Sequence, residues 1–287
     1  MSLPITIEGK TDEIYKPHTT KRHMLGTRLV FPDGRVFRYA KAGSSNITIG
    51  RVCGCAAKVA VHDSDVVVME ARTTAQWDDG DHTVRIATTG STSSTALNIT
   101  EDQYADGYVW VNDEAGEGQL LQVKEHDAET ATGSTGGRDI TCYDEEVLTV
   151  ALTTASQVGL LKNPYKDMVI HTGTTGGGPA MGVAPVAVTA AYYFWLQTWG
   201  PCPVVNGATV PLAGEHVGVV NTTGSDTGLV GVAGSIYPPD ATQYNPTTAS
   251  TGAACAQDWN QAPKVGYILM PATADTECSL VYLTIAP

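Results

Sequence analysis

The chain has 287 residues, enough to bury a sizeable core in one long β domain or two smaller domains. Its 17 Lys and Arg against 30 Asp and Glu leave a net charge of −13, which repels nucleic acid and anionic membranes and excludes both as the expected main partner. No run of 18 apolar residues occurs, and the opening MSLPITIEGK lacks the charged-then-apolar order of a secretion signal, so the sequence predicts a soluble protein made in the cytoplasm.

Residues 1–24 show no good core pattern. With Pro4, Pro17 and mixed charges they are expected to form an extended N-terminal arm, ordered only against a neighbour. Residues 25–41, LGTRLVFPDGRVFRYAK, predict a hairpin. Strand-forming Val30, Phe31, Val36, Phe37 and Tyr39 flank Pro32-Asp33-Gly34, where Pro presets φ and Gly accepts φ > 0. Four basic residues, Arg28, Arg35, Arg38 and Lys41, fall in the same seventeen positions. The pattern suits either a solvated edge hairpin or a gripping element, and on the second reading removal of residues 1–41 leaves the rest folded.

Beyond the hairpin, 30 Gly and 15 Pro cut a Thr-, Ser- and Val-rich chain into short segments, the habit of all-β proteins. Strands are predicted over 46–53, 59–61, 66–72, 82–87, 108–111, 118–125, 139–143, 147–152, 168–171, 186–199, 217–220, 229–232, 264–270 and 279–285. Residues 172–185 read as a linker or long loop. The aromatic run after it, with Tyr192, Tyr193, Phe194, Trp195 and Trp199, reads as core, with a subunit interface as the alternative. The expected architecture is therefore all-β, with short-stranded sandwich or barrel domains: residues 1–45 as arm and docking hairpin, 46–180 as one β domain and 181–287 as a second.

The chemical motifs are weak. Six scattered cysteines fit reduced, buried thiols, and Cys53-x-Cys55 lacks the second close pair that zinc would want. The glycine-rich stretches 133–137 and 173–178 are followed by Arg138 and Pro179 rather than by Lys and Ser or Thr, so no phosphate loop is expected. Asp78-Asp79-Gly80-Asp81-His82, with His62-Asp63-Ser64-Asp65 upstream, could ligate a hard cation or do acid/base work, but DDGD before a strand is a common turn. Trp110 on an alternating strand could stack on a sugar, although a core Trp is the more frequent case. No catalytic residue, metal or cofactor is assigned.

The order of four segments carries a resemblance: G-T-x-x-x-x-P-D-G-R-x-F-R-Y-A-K-A-G from Gly26, A-D-G-Y-V-W-V-N-D-x-x-G-E-G-Q from Ala105, Y-Y-F-W-L-Q-T-W-G-P-C from Tyr192 and V-Y-L-T-I from Val281. In combination they resemble virion structural proteins of tailed bacteriophages, especially head decoration or capsid cement proteins. The resemblance implies a non-enzymatic, β-rich protein, often a homotrimer, on the capsid exterior, with the major capsid protein as partner. It further implies capsid docking through Arg28, Phe31, Arg35, Phe37, Arg38, Tyr39 and Lys41. A head-fibre, tail or spike component that binds a host surface glycan, and a β-rich hydrolase using Asp78, Asp79 or Asp81, are the alternatives.

Overall fold

A computed structural model describes residues 6–10, 12–59, 62, 67–68, 77–87, 98–128, 137–172, 178–207, 211–219, 228–232, 264–274 and 277–287. Among these residues there are seventeen strands, a 3₁₀ turn at Glu13–Tyr15 and no α-helix, so the all-β expectation holds. In chain order the strands are β1 (Thr6–Glu8), β2 (Arg28–Val30), β3 (Val36–Lys41), β4 (Val52–Gly54), β5 (Val67–Val68), β6 (Thr83–Ala87), β7 (Tyr108–Asp113), β8 (Leu120–Glu125) and β9 (Gly137–Cys142). There follow β10 (Gln157–Leu161), β11 (Val169–Ile170), β12 (Ala180–Val183), β13 (Tyr193–Val205), β14 (His216–Val219), β15 (Val230–Val232), β16 (Lys264–Met270) and β17 (Cys278–Thr284).

The chain divides into two compact units, and the division differs from the one expected. The first unit is discontinuous, Met1–Ala56 with Tyr165–Pro287, and the second, Ala57–Pro164, is an excursion between its halves. The cut expected near residue 180 falls inside the first unit. There β12, in the stretch read as a linker, pairs with both β4 and β13. Gly182 serves close packing rather than flexibility: a Cβ built on it would stand 2.5 Å from the Gln197 carbonyl and 2.7 Å from Leu196.

The main sheet of the first unit runs β1-β2-β3-β13-β17-β16-β14-β15, with β12, β4 and β11 branching from β13. Residues 1–24 do not behave as a free arm in the part described. Thr6–Glu8 adds a parallel edge strand to β2, His18 bridges to Tyr193, and Ile14 is only 1% exposed, buried with Leu29, Phe37 and Trp195.

Strand β13 extends through Pro201 and Pro203, past the expected end at Trp199. Pairing with β3 stops at Trp199↔Val36, while pairing with β17 continues to Val205. Beyond Trp199 the strand is thus a local edge on the β3 side. The two prolines, two residues apart, turn their missing N–H groups to that one side.

The second unit is a single antiparallel sheet, β5-β10-β7-β8-β9-β6. Its end strands β5 and β6 approach within 8 Å between Cα atoms, so the sheet curls on itself. Alternate residues point inward, among them Val84 and Ile86 from β6, Val109 and Val111 from β7, and Val158 and Leu160 from β10. The segment expected as a strand over 147–152 is a loop. Leu148 and Leu152, four apart rather than two, plug the same core and hydrogen-bond to Asp81 and Trp77.

Candidate docking surfaces

The hairpin forms as its sequence predicts, with Arg28 opposite Arg38, Leu29 opposite Phe37 and Val30 opposite Val36. Gly34 takes φ 86°, its N–H bonds the Phe31 carbonyl at 3.0 Å, and Asp33 closes the turn by accepting from Arg35 N (3.0 Å) and Arg35 Nε (2.7 Å). Partial burial works against charge on Asp33, but these bonds hold its carboxyl below the usual range.

The aromatic side chains expected at the docking contact are in the core instead. Phe31, Phe37 and Tyr39 are all buried beside Trp195, and the Tyr39 hydroxyl accepts from Arg22 N at 3.0 Å. Strand alternation alone does not say which partner a side will meet, and here Ile14 and Leu25 pack on it, with Trp195 beside Tyr39 in register. The four basic residues are half-buried, and Arg35, Arg38 and Lys41 are engaged within the chain. Arg38 donates to the Gly26 and Pro287 carbonyls, Lys41 lies 5.6 Å from the Tyr193 ring centroid, and Arg35 lies over Phe31 (4.9 Å) and Phe37 (5.9 Å). What the hairpin offers outward is its tip. Pro32, Asp33 and Arg35 line an open groove with Gly9, Lys10 and the edge of Phe31.

Of a second surface the sequence marked only Trp199, in the aromatic run expected as core or subunit interface. On β13, β17, β16 and β14 the inward side chains, such as Cys202, Val204, Val281, Leu283 and Val217, form a core. The opposite side carries an aromatic row whose neighbours in register are Pro201↔Tyr282, Tyr282↔Tyr267 and Tyr267↔His216. The Tyr267 and Tyr282 rings stack with centroids 5.3 Å apart, Trp199 meets Tyr282 edge-on at 5.9 Å, and His216 meets Tyr267 at 6.4 Å. The next row, Pro203↔Leu280↔Met270, ends on a methionine that is 66% exposed. These two rows contain no Asp, Glu, Lys or Arg. Each aromatic comes from a different strand, so no local window of sequence reveals the row.

In the second unit Trp110 is 37% exposed on the outer side of β7, not in the core as expected. Its indole lies across Gly159 on β10, where a Cβ would fall 2.3 Å from Nε1, and Leu120 of β8 stands opposite it in register. Asp78–Asp81 is a turn into β6: Asp78 N donates to Asp81 Oδ2 (2.8 Å) and Asp81 N to the Asp78 carbonyl (3.0 Å). Asp63 and Asp65 lie outside the described residues, as do 133–136 and 173–177 of the glycine-rich stretches.

His62 is buried against the Tyr104 hydroxyl, and Tyr104 N donates to His126 Nε2 at 3.0 Å. Burial, helped by the positive fields of Lys162 and His126, pushes His62 down to about 4. The Cys53 and Cys142 thiols are buried and pushed up to about 12. Among the described residues no three His, Cys, Asp or Glu gather as a metal-holding group.

The charge is divided as sharply as the fold. Residues 57–164 hold 6 Lys and Arg against 19 Asp and Glu, a net −13, and the first unit holds 11 of each, a net of zero. Comparison with protein-family models, curated proteins and solved structures returns no match to the chain.

Proposed function

We propose that the chain is a non-enzymatic structural protein of a tailed-phage virion that binds the outer surface of the major capsid protein lattice and stabilises the head. The observation that carries this reading is the groove at the hairpin tip, where Arg35 is held by Asp33 and by the face of Phe31 and Lys10 lines the same groove. A cation fixed in place loses little freedom on docking, so such a groove suits an acidic loop of a protein partner. It belongs to the unit whose net charge is zero.

The experiment is reconstitution of undecorated heads with purified protein, read as occupancy in cryo-electron microscopy. Lys10→Glu, on the exposed groove surface, is expected to lower occupancy by about tenfold with the melting temperature nearly unchanged. Full occupancy by this variant would overturn the reading. Exposed Trp110 on a rigid sheet favours a second reading, recognition of a host surface glycan. Binding of the purified protein to host cells, lost in Trp110→Ala, would support that one.

A further inference from the structure

We infer that the aromatic face of β13, β17, β16 and β14 is a self-association surface, on which a second copy of this chain docks face to face about a two-fold axis. The first ground is composition. An antiparallel sheet with one side packed on a core normally turns a polar side to water. Here the outward rows hold Trp199, Tyr282, Tyr267, Pro201, Leu280 and Met270, with His216 at the end of the aromatic row and exposed Lys264, opposite Gly218, at its border. Depletion of charge with enrichment of Tyr, Trp and Met marks the centre of a protein interface, whereas scattered single apolar residues do not.

The second ground is the distribution of charge, which selects the occupant. Two copies of a chain with net charge −13 repel one another, but the whole excess resides in residues 57–164, and the face belongs to the unit with a net charge of zero. The surfaces that this unit brings to such a contact carry no net charge to oppose it. The third ground concerns symmetry. A head-to-tail contact needs a second, different patch that complements the first. Among the described residues a second exposed apolar pair, Trp110 with Leu120, belongs to the acidic unit. The aromatic face complements itself, as an isologous two-fold contact requires. Such a contact differs from the three-fold assembly that the resemblance to decoration proteins implies, and it needs no capsid.

The test is sedimentation equilibrium of the full chain without capsid. The expected particle has twice the 30.2 kDa chain mass. Its dissociation constant is expected to fall at high salt, because apolar contact survives while repulsion between the acidic units is screened. Met270→Glu with Tyr267→Glu should raise the dissociation constant by about 100-fold, and exposed Met270→Glu alone by about tenfold with an unchanged circular dichroism spectrum. Trp110→Ala should leave the mass unchanged. A monomer, a particle of three chain masses, an association that weakens in salt, or a dimer indifferent to Met270→Glu would each overturn the inference. A monomer whose tyrosine fluorescence is quenched by cellohexaose, with loss in the double variant, would overturn it in favour of a glycan as the occupant.

Discussion

Single residues in this protein show how an ionisable side chain becomes a structural part. His126 N donates to Asp102 Oδ1, and its ring accepts from Tyr104 N at Nε2, which leaves Nδ1 to donate to the Asp127 carbonyl at 3.0 Å. The Tyr104 hydroxyl accepts from Gln103 Nε2 and turns its own hydrogen to His62 Nδ1. A proton added to His62 would therefore convert an acceptor into a donor facing a donor, inside a core. The folded protein holds His62 at about 4, below its ordinary value of 6.5, so the unfolded chain binds the extra proton first as pH falls. The stability that this neutral His62 contributes is complete above about pH 6.5 and is lost progressively down to about pH 4, by roughly 2 to 3 kcal/mol. In His62→Gln, urea titrations from pH 7 to 4 should show a flatter loss of stability than in the wild type. Equal slopes would sink the assignment. In the sequence, His62 stands beside Asp63 and Asp65, which suggested a cation site, while His126 is 64 positions away. Only their burial around Tyr104 discloses a packing role.

At the scale of elements, the hairpin was legible because its information is local: Pro32, Asp33 and Gly34 set their own backbone, and Asp33 reaches only two residues ahead. Its place in the sheet is not local. Strand β3 lies between β2 and β13, and Leu29, Phe31, Phe37 and Tyr39 are core residues, so the hairpin cannot be removed as an appendage. Each such side chain contributes about 1.5 to 3 kcal/mol through burial, and four together rival the ~5 to 15 kcal/mol that keeps a domain folded. Deletion of residues 1–41 is accordingly expected to abolish the cooperative thermal transition of the first unit. A truncated protein that melts like the wild type would contradict this packing. The same reasoning explains β10 and β12, which the sequence concealed. Gly159 and Gly182 interrupt their alternation because an indole and a neighbouring strand occupy the space of a side chain.

Across the whole molecule, charge and topology are coupled. An acidic excess of 13 charges spread over 287 residues would be modest, but confined to residues 57–164 it makes one unit strongly self-repelling and leaves the other neutral. Raising NaCl from about 10 mM to about 0.5 M shortens the screening length from roughly 30 Å to under 8 Å and should stabilise the second unit. The unit transitions can be followed separately by hydrogen exchange at Val109 and Val123 for the second unit and at Val281 and Leu283 for the first. Protection in the second should rise with salt by about tenfold, with little change in the first. An equal rise in both would show that the excess charge is not felt locally.

The sequence by itself determined the all-β class, the turn at Pro32-Asp33-Gly34 and the total charge, because these depend on composition or on residues within a few positions of one another. Tertiary structure decided which side of each strand meets a core and which halves of the chain form one unit. It alone aligned Trp199, Tyr282, Tyr267 and His216 in a row and moved Phe37 and Tyr39 from an expected contact into the interior. A period of two says that a strand has two different sides. Which side is covered depends on strands that pair across more than a hundred residues, such as β3 with β13, and that pairing is not written in either strand alone.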